Sequence, residues 1–484
     1  MAMENPTDRQ PQIEIAVDLP NIPAIREAAR SDDRKNFLSL LQRQLPELPN
    51  GSQIMEMPSL EPGSLQIEAR LVHADLRGFE RPSEEDIQAE LRSLIAVVSV
   101  PAASAEQYIG AMRKAGLSAG TQTYLAPFDY WVPGLDRPSL FGSRRAAEAL
   151  VRAGTLREHD FLGQETNLVI LDEGFNAGEL GLRSRSPLAF VGGWSVTTPK
   201  GGSRTPGAAA RGGHGTMVAL NAVSLAPKAR LFDLPLRPGR IVDIGMTTGE
   251  VAVALNRIEA EIRLWLRRVF PGPWIFCHPW GIYDRRIEFP RGSYTTDRQH
   301  ILNRWFRHND TDGSGHDQIF AAGNGGQFAP HPRCGPRDIG PGHSILGANS
   351  SPHVLTVGAV RADGMWIGYS SQGPGQPELS EPPGSLGEKP DICAVSHFSE
   401  GQDCAWLSTG TSAACGMAAG AVAALRSEGS PLRSLPSPSL RSHLRQTARK
   451  HHQSASLQTD QTYDNRCGYG VLCLEGALKT TPKV

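Results

Sequence analysis

The sequence lacks the features that would put a protein in a membrane, on nucleic acid or in a disulfide framework. No stretch of about 18 apolar residues occurs, which excludes a helical membrane span. The first residues, MAMENPTDRQPQIEIAVDLP, hold no apolar run of signal-peptide character. Cysteine is scarce: there are seven, an odd number, all from Cys277 onward. A secreted disulfide framework usually has an even set, so these read as reduced thiols in a cytoplasmic protein. Net charge is also nearly absent. Lys and Arg total 49 against 50 for Asp and Glu, leaving a formal charge of -1. No basic field directs the chain to nucleic acid, and no membrane contact is expected.

What the sequence has is glycine (51) and proline (37), which predict many turns and long loops. Its 484 residues are too many for one ordinary core, so a large domain plus a smaller unit is expected. Residues 1–65 read as an N-terminal tail and linker, with a short helix over Arg34–Gln44. Residues 66–135 read as a small α/β unit: the strand LQIEARLVHADL, a helix SEEDIQAELRSL capped by Ser83, the strand IAVVSVP, and a helix capped by Ser104 and ended by Gly116. Residues 136–162 hold a connecting helix, residues 163–478 the main domain, and 479–484 a C-terminal tail. Within the main domain, short apolar runs (NLVILDEG, ARLFDLPL, PWIFCHPWG, DQIFAAGN, HVLTVGAV) alternate with helical stretches. That alternation predicts a three-layer α/β fold with a mainly parallel sheet, its functional residues at the carboxyl ends of the strands.

Three strand- or helix-end residues carry the chemistry. Asp172 closes the strand NLVILD, where a carboxylate can orient and stabilise an imidazolium. His214 lies in the turn GGHG before an apolar helix, with glycines leaving room around the ring. Ser412 opens a helix of Ala and Gly, where backbone N–H groups point to the place an oxyanion would form. Singly, each reads as a cap or a structural residue; together they occur in the order Asp, His, Ser used by subtilisin. The blocks around them, LDEG, GHGTMVA and GTSAA, resemble those of the subtilisin-like serine proteases. IFAAGNGG resembles the family block that supplies an oxyanion-hole asparagine, here Asn324, and GYGVLCLEGAL its closing block. The resemblance spans about residues 163–478. It implies the subtilisin fold and a serine endopeptidase that hydrolyses protein or peptide substrates through an acyl-enzyme on Ser412, with no cofactor required for the chemistry. The alternative is a catalytically silent protein that keeps the fold for binding or regulation.

By the same resemblance, Pro279, Trp280 and Gly281 on one side and Ala321, Ala322 and Gly323 on the other bind substrate and form an uncharged primary pocket, which Trp280 narrows. The sequence departs from the family at four places. Glu173 stands where Ser or Thr is usual, Met217 replaces a frequent His, Gly416 replaces a Pro and loosens the helix start, and Pro279 lacks an N–H for the substrate to pair with. NDTDGSGHD (309–317) fails as an EF-hand, because the twelfth position from Asp310 is Ala321 rather than Glu. An acidic surface loop is expected there, with structural calcium as the alternative. His331, Cys334 and His343 are zinc-competent residue types without an evident fourth ligand. The unit before the main domain is expected to be either an intramolecular inhibitor, with TYLAPFDYWVPG reaching the active site, or a docking module for a regulatory protein.

Overall fold

The computed structural model describes residues 11–480 except 32–33, 59, 61–64, 73–75, 77, 128–141, 185, 198–201, 237–246, 312–314, 401–406 and 451–462. Its centre is a nine-stranded sheet. From one edge the order is Ile392–Val395, Leu355–Val360, Asp317–Ala321, Trp274–His278, Asn167–Asp172, Arg230–Pro235, Phe190–Thr197 and Gln66–Leu71, with Ser203–Arg204 also paired to Phe190–Thr197. The first seven run parallel. Each of these strands is close to wholly buried, as a sheet covered on both faces requires. The strand that ends in Asp172 shows the division: Leu168 and Ile170 enter one core, Val169 and Leu171 the other.

On the first face lie His214–Leu225 and Gly410–Leu425. Every residue of Gly410–Leu425 is buried, and the Ala and Gly that dominate it let the two helices touch. A Cβ on Gly416 would lie 2.5 Å from the Val218 carbonyl oxygen, and one on Gly420 would lie 2.1 Å from that of Ala222. Gly416 therefore does not loosen the helix start, as the missing proline suggested; it permits the close approach. The second face carries Thr248–Glu261, continued by a wide turn at Ile262–Leu266, and Ile301–Thr311.

The N-terminal organisation differs from the sequence reading in two ways. Residues 12–20, expected as tail, form a strand in a separate four-stranded sheet, between Ser93–Pro101 and Ser118–Thr121, with Gln53–Glu56 at the far edge. The strand QIEIAVDLP alternates too weakly to be read as half-buried, because Ala16 faces the main domain while Ile15 and Val17 fill the small core. Conversely Gln66–Leu71, expected in the small unit, extends the main sheet antiparallel to Phe190–Thr197. Arg34–Gln44 is helical. Ser83 caps Glu84–Glu90 in a reciprocal capping box, but Ser104 lies inside the helix Ala102–Lys114, which starts after Pro101.

The small sheet rests on the helices Thr248–Glu261 and Ile301–Thr311. The helix Glu84–Glu90 and the residues after it add charged contacts: Arg257, almost wholly buried, donates to Glu84 and, within its own helix, to Glu261, and Arg92 pairs with Glu259. The acidic loop expected at 309–317 is not a loop throughout. Asn309, Asp310 and Thr311 finish a helix, and Asp310 is half-buried against Arg441 (2.7 Å) and His353 (3.0 Å), so its carboxylate is already engaged.

Candidate active site

The parallel sheet delivers Asp172 to the carboxyl end of its strand, and the turn that follows brings it to the start of the His214 helix. Asp172 is buried, and His214 Nδ1 lies 2.9 and 2.8 Å from its two carboxylate oxygens. Oδ1 also accepts the Glu173 N–H at 2.7 Å. A carboxylate so held fixes the imidazole with Nε2 as its outward nitrogen. The glycines beside His214 have a spatial reason. A Cβ on Gly215 would lie 2.3 Å from the Gly174 carbonyl oxygen, and one on Gly213 would lie 2.7 Å from Glu173 Oε1.

Ser412 is the third residue of its helix, inside the first turn and not the cap, a place held by Thr409. Gly410 (φ 71°) makes the entry turn that a side chain would strain. The Ser412 hydroxyl donates to the Pro279 carbonyl at 3.1 Å, which puts the end of the Trp274–His278 strand next to the serine. Asn324 lies just past the strand Asp317–Ala321 and is buried. Its Oδ1 accepts from the Thr411 N–H (2.9 Å) and the Thr411 hydroxyl (3.0 Å), which fixes the amide plane beside the start of the Ser412 helix. Thr411 was not singled out from the sequence; its place between Gly410 and Ser412 was the available signal.

The six residues expected to line a substrate cleft fall into two short segments, 279–281 and 321–323. Trp280–Gly281 is a strand, and it is paired antiparallel with Ala126–Pro127 of this same chain. Tyr124, just before, bridges to Thr247. Phe128 to Gly134 of TYLAPFDYWVPG lie outside the described residues. Trp280 does not narrow a pocket: its ring is 1% exposed and packs edge-on to Phe320 and His278, with centroids 5.1 and 5.2 Å away. Ala321 likewise belongs to the core, and Ala322 and Gly323 carry the chain toward Asn324. Asn349, also missed from the sequence, ties the two segments together. Its Nδ2 donates to the Trp280 carbonyl (2.9 Å) and the Ala321 carbonyl (2.8 Å). A lone Asn in GANSSP carries no pattern that reveals such a bridge.

Two buried groups near the site are held neutral. Desolvation raises Asp233 to about 8, with the charge of Asp172 adding to the effect. Burial lowers His278 to about 3. Met217 lies along the His helix beside Asn221, whose Nδ2 is 3.5 Å from its sulfur. Among the described residues no group of three or more His, Cys, Asp or Glu is placed to hold a metal ion. His331 stacks on Tyr283 (centroids 4.6 Å apart), and the Cys334 thiol is pushed up to about 12 by burial.

A model of the subtilase family of peptidases matches residues 163–470. No curated protein matches the sequence. Among solved structures, the chain is similar to MycP1 from the ESX-1 type VII secretion system (18% identity, 75% of this chain and 91% of that one, TM-score 0.43). It is also similar to MycP1 from Mycobacterium smegmatis (17% identity, 75% and 90%, TM-score 0.43). Likenesses of this size lend no argument about function. The family match spans well over half of the chain and takes in the strand that ends in Asp172, the His214 helix and the Ser412 helix, so the chain belongs to the subtilase family of serine endopeptidases.

Proposed function

We propose that Asp172, His214 and Ser412 work as a catalytic triad that hydrolyses peptide bonds through an acyl-enzyme. The observation that carries this is the paired contact of His214 Nδ1 with both oxygens of the buried Asp172 carboxylate. In this reading His214 Nε2 takes the Ser412 proton as Oγ attacks the scissile carbonyl, then returns it to the leaving amine. Asp172 stabilises the imidazolium without itself accepting the proton. The oxyanion is received by Asn324 Nδ2 and the Ser412 N–H, a pair of donors set in place before the charge develops. Substrate lies as an added strand along Trp280–Gly281, and the uncharged walls favour an apolar residue before the scissile bond, since a buried charge there has no partner. Ser412→Ala tests the reading: it should abolish hydrolysis of a peptide substrate and labelling by a fluorophosphonate while the protein stays folded. A variant with wild-type turnover sinks it.

The same cleft suggests restraint. The edge that substrate would use on Trp280–Gly281 is paired with Ala126–Pro127, and this supports the N-terminal unit as an intramolecular inhibitor over a docking module for another protein. Buried Leu125 anchors that segment in the main core. We place this activity in the cytoplasm, on the reduced-thiol reading of the sequence; the fraction of the native protein found there by cell fractionation checks it.

A further inference from the structure

The position after the family's Asp usually holds a small hydroxyl residue, and here it holds Glu173. Its side chain is not idle. Glu173 Oε1 accepts the backbone N–H of His214 at 2.7 Å. That N–H belongs to the first residue of a twelve-residue helix whose cap, Gly213, has no side chain to offer. The backbone N–H of Glu173 meanwhile donates to Asp172 Oδ1, and His214 Nδ1 completes the ring to the same carboxylate. One residue thus grips both members of the Asp–His pair, the acid through its main chain and the base through its side chain. The absence of a side chain at 213 is the matching half of the arrangement, because a Cβ there would lie 2.7 Å from Glu173 Oε1.

We propose that Glu173 is a positioning residue for His214: its carboxylate replaces the missing cap of the His helix and sets the basicity of the imidazole. The proposal rests on the triad reading above and adds to it a residue which that reading does not need. A carboxylate at the helix N-terminus offsets the positive end of the helix dipole, which otherwise opposes a protonated ring close by. The other charged and titratable groups around the turn do not duplicate it. Asp172 is the acid of the pair. Glu179 accepts the Gly212 N–H at 2.7 Å but is paired with Arg183 at 2.9 Å. Arg211 is exposed, Asp233 on the neighbouring strand is held neutral by burial, and the Gly410–Leu425 helix contributes no charged residue.

The sign follows. Glu173 favours the imidazolium, so it raises the pH at which His214 becomes the free base. The acid limb of kcat/KM reports that pH in the free enzyme. Glu173→Gln keeps an oxygen to accept the His214 N–H but removes the charge. It should move the acid limb to lower pH by about 0.2–0.7 unit, with the plateau within about threefold of wild type. Glu173→Ala loses the bond as well, and its plateau should also fall by about tenfold, short of the ~100-fold that a 1 Å misplacement brings. If Glu173 were only a structural cap, Glu173→Ala would lower the melting temperature while both variants kept the wild-type pH profile, and that result overturns the proposal. A Leu125→Asp protein, freed of the restraint proposed above, that takes no fluorophosphonate label overturns the triad reading and this one with it; a labelled protein with an unmoved profile overturns this one alone.

Discussion

The contact between the two catalytic helices sets up a test in which stability and activity part company. Gly416 lies one turn beyond Ser412, and Val218 one turn beyond His214. A Cβ at 416 would meet the Val218 carbonyl oxygen at 2.5 Å, while ordinary contact starts near 3.4 Å, so Gly416→Ala forces the helices apart by about 0.9 Å. The nearest atom is backbone, which cannot rotate out of the way, and the Asn221 Cβ at 3.2 Å closes the space beside it. Overpacking of this kind costs ~1–3 kcal/mol, and alanine's better helix propensity returns about 1 kcal/mol of that, for a net loss of up to ~2 kcal/mol. The melting temperature should fall by a few degrees. The displacement falls between the serine and its base, so turnover should drop on the order of tenfold to a hundredfold. Gly420→Ala is the control. Its Cβ would meet the Ala222 oxygen at only 2.1 Å, one turn farther from the serine, so it should lose more stability and proportionally less turnover. Calorimetry and peptide hydrolysis on the two variants decide the matter. A Gly416→Ala protein with unchanged melting temperature and turnover refutes the argument from helix contact.

Asn324→Ala should lower kcat by about 10²–10³ with little change in KM, measured on a short peptide, because its hydrogen bond strengthens only as the oxyanion forms. Asn349→Ala should let the two cleft walls drift and broaden the residues accepted before the scissile bond, read by cleavage of a peptide library; an unchanged profile counts against the bridge. Asp233 has a raised pKa, so the folded state holds its proton more tightly than the unfolded chain does, and stability should decline as pH rises from about 4 to about 8. Asp233→Asn should flatten that part of a chemical-denaturation series. Leu125→Asp should free the segment from the core and speed peptide hydrolysis by the full chain; equal rates would return the N-terminal unit to a docking role.

The main domain was legible because its strands are buried on both faces, so each reads as a short apolar run closed by a polar turn. Asp172, His214 and Ser412 each read singly as a cap or a structural residue; their order along the chain and the resemblance of the blocks around them picked them out, and the resemblance alone picked out Asn324. The residues that hold them were not legible. Thr411 and Asn349 each act through paired hydrogen bonds to groups far away in sequence, and no local pattern encodes which groups those are. The small sheet was misassigned because its central strand, Gln12–Pro20, buries one side in its own core and the other against a helix that begins more than two hundred residues later. Gln66–Leu71 has the pattern of any edge strand, and which sheet it joins is decided by the partner, Phe190–Thr197.

The pairing of Ala126–Pro127 with Trp280–Gly281 has a consequence in terms of mass action. A strand delivered by its own chain does not compete at its bulk concentration; a short tether presents it at an effective concentration on the order of millimolar. An outside peptide of comparable intrinsic affinity must reach that level merely to occupy the edge half of the time. Severing the chain between the segment and the main domain changes no contact, yet it converts a first-order return into a second-order one. Dilution then does the rest, and at nanomolar protein the advantage of the internal strand falls by roughly a millionfold unless the small sheet stays docked.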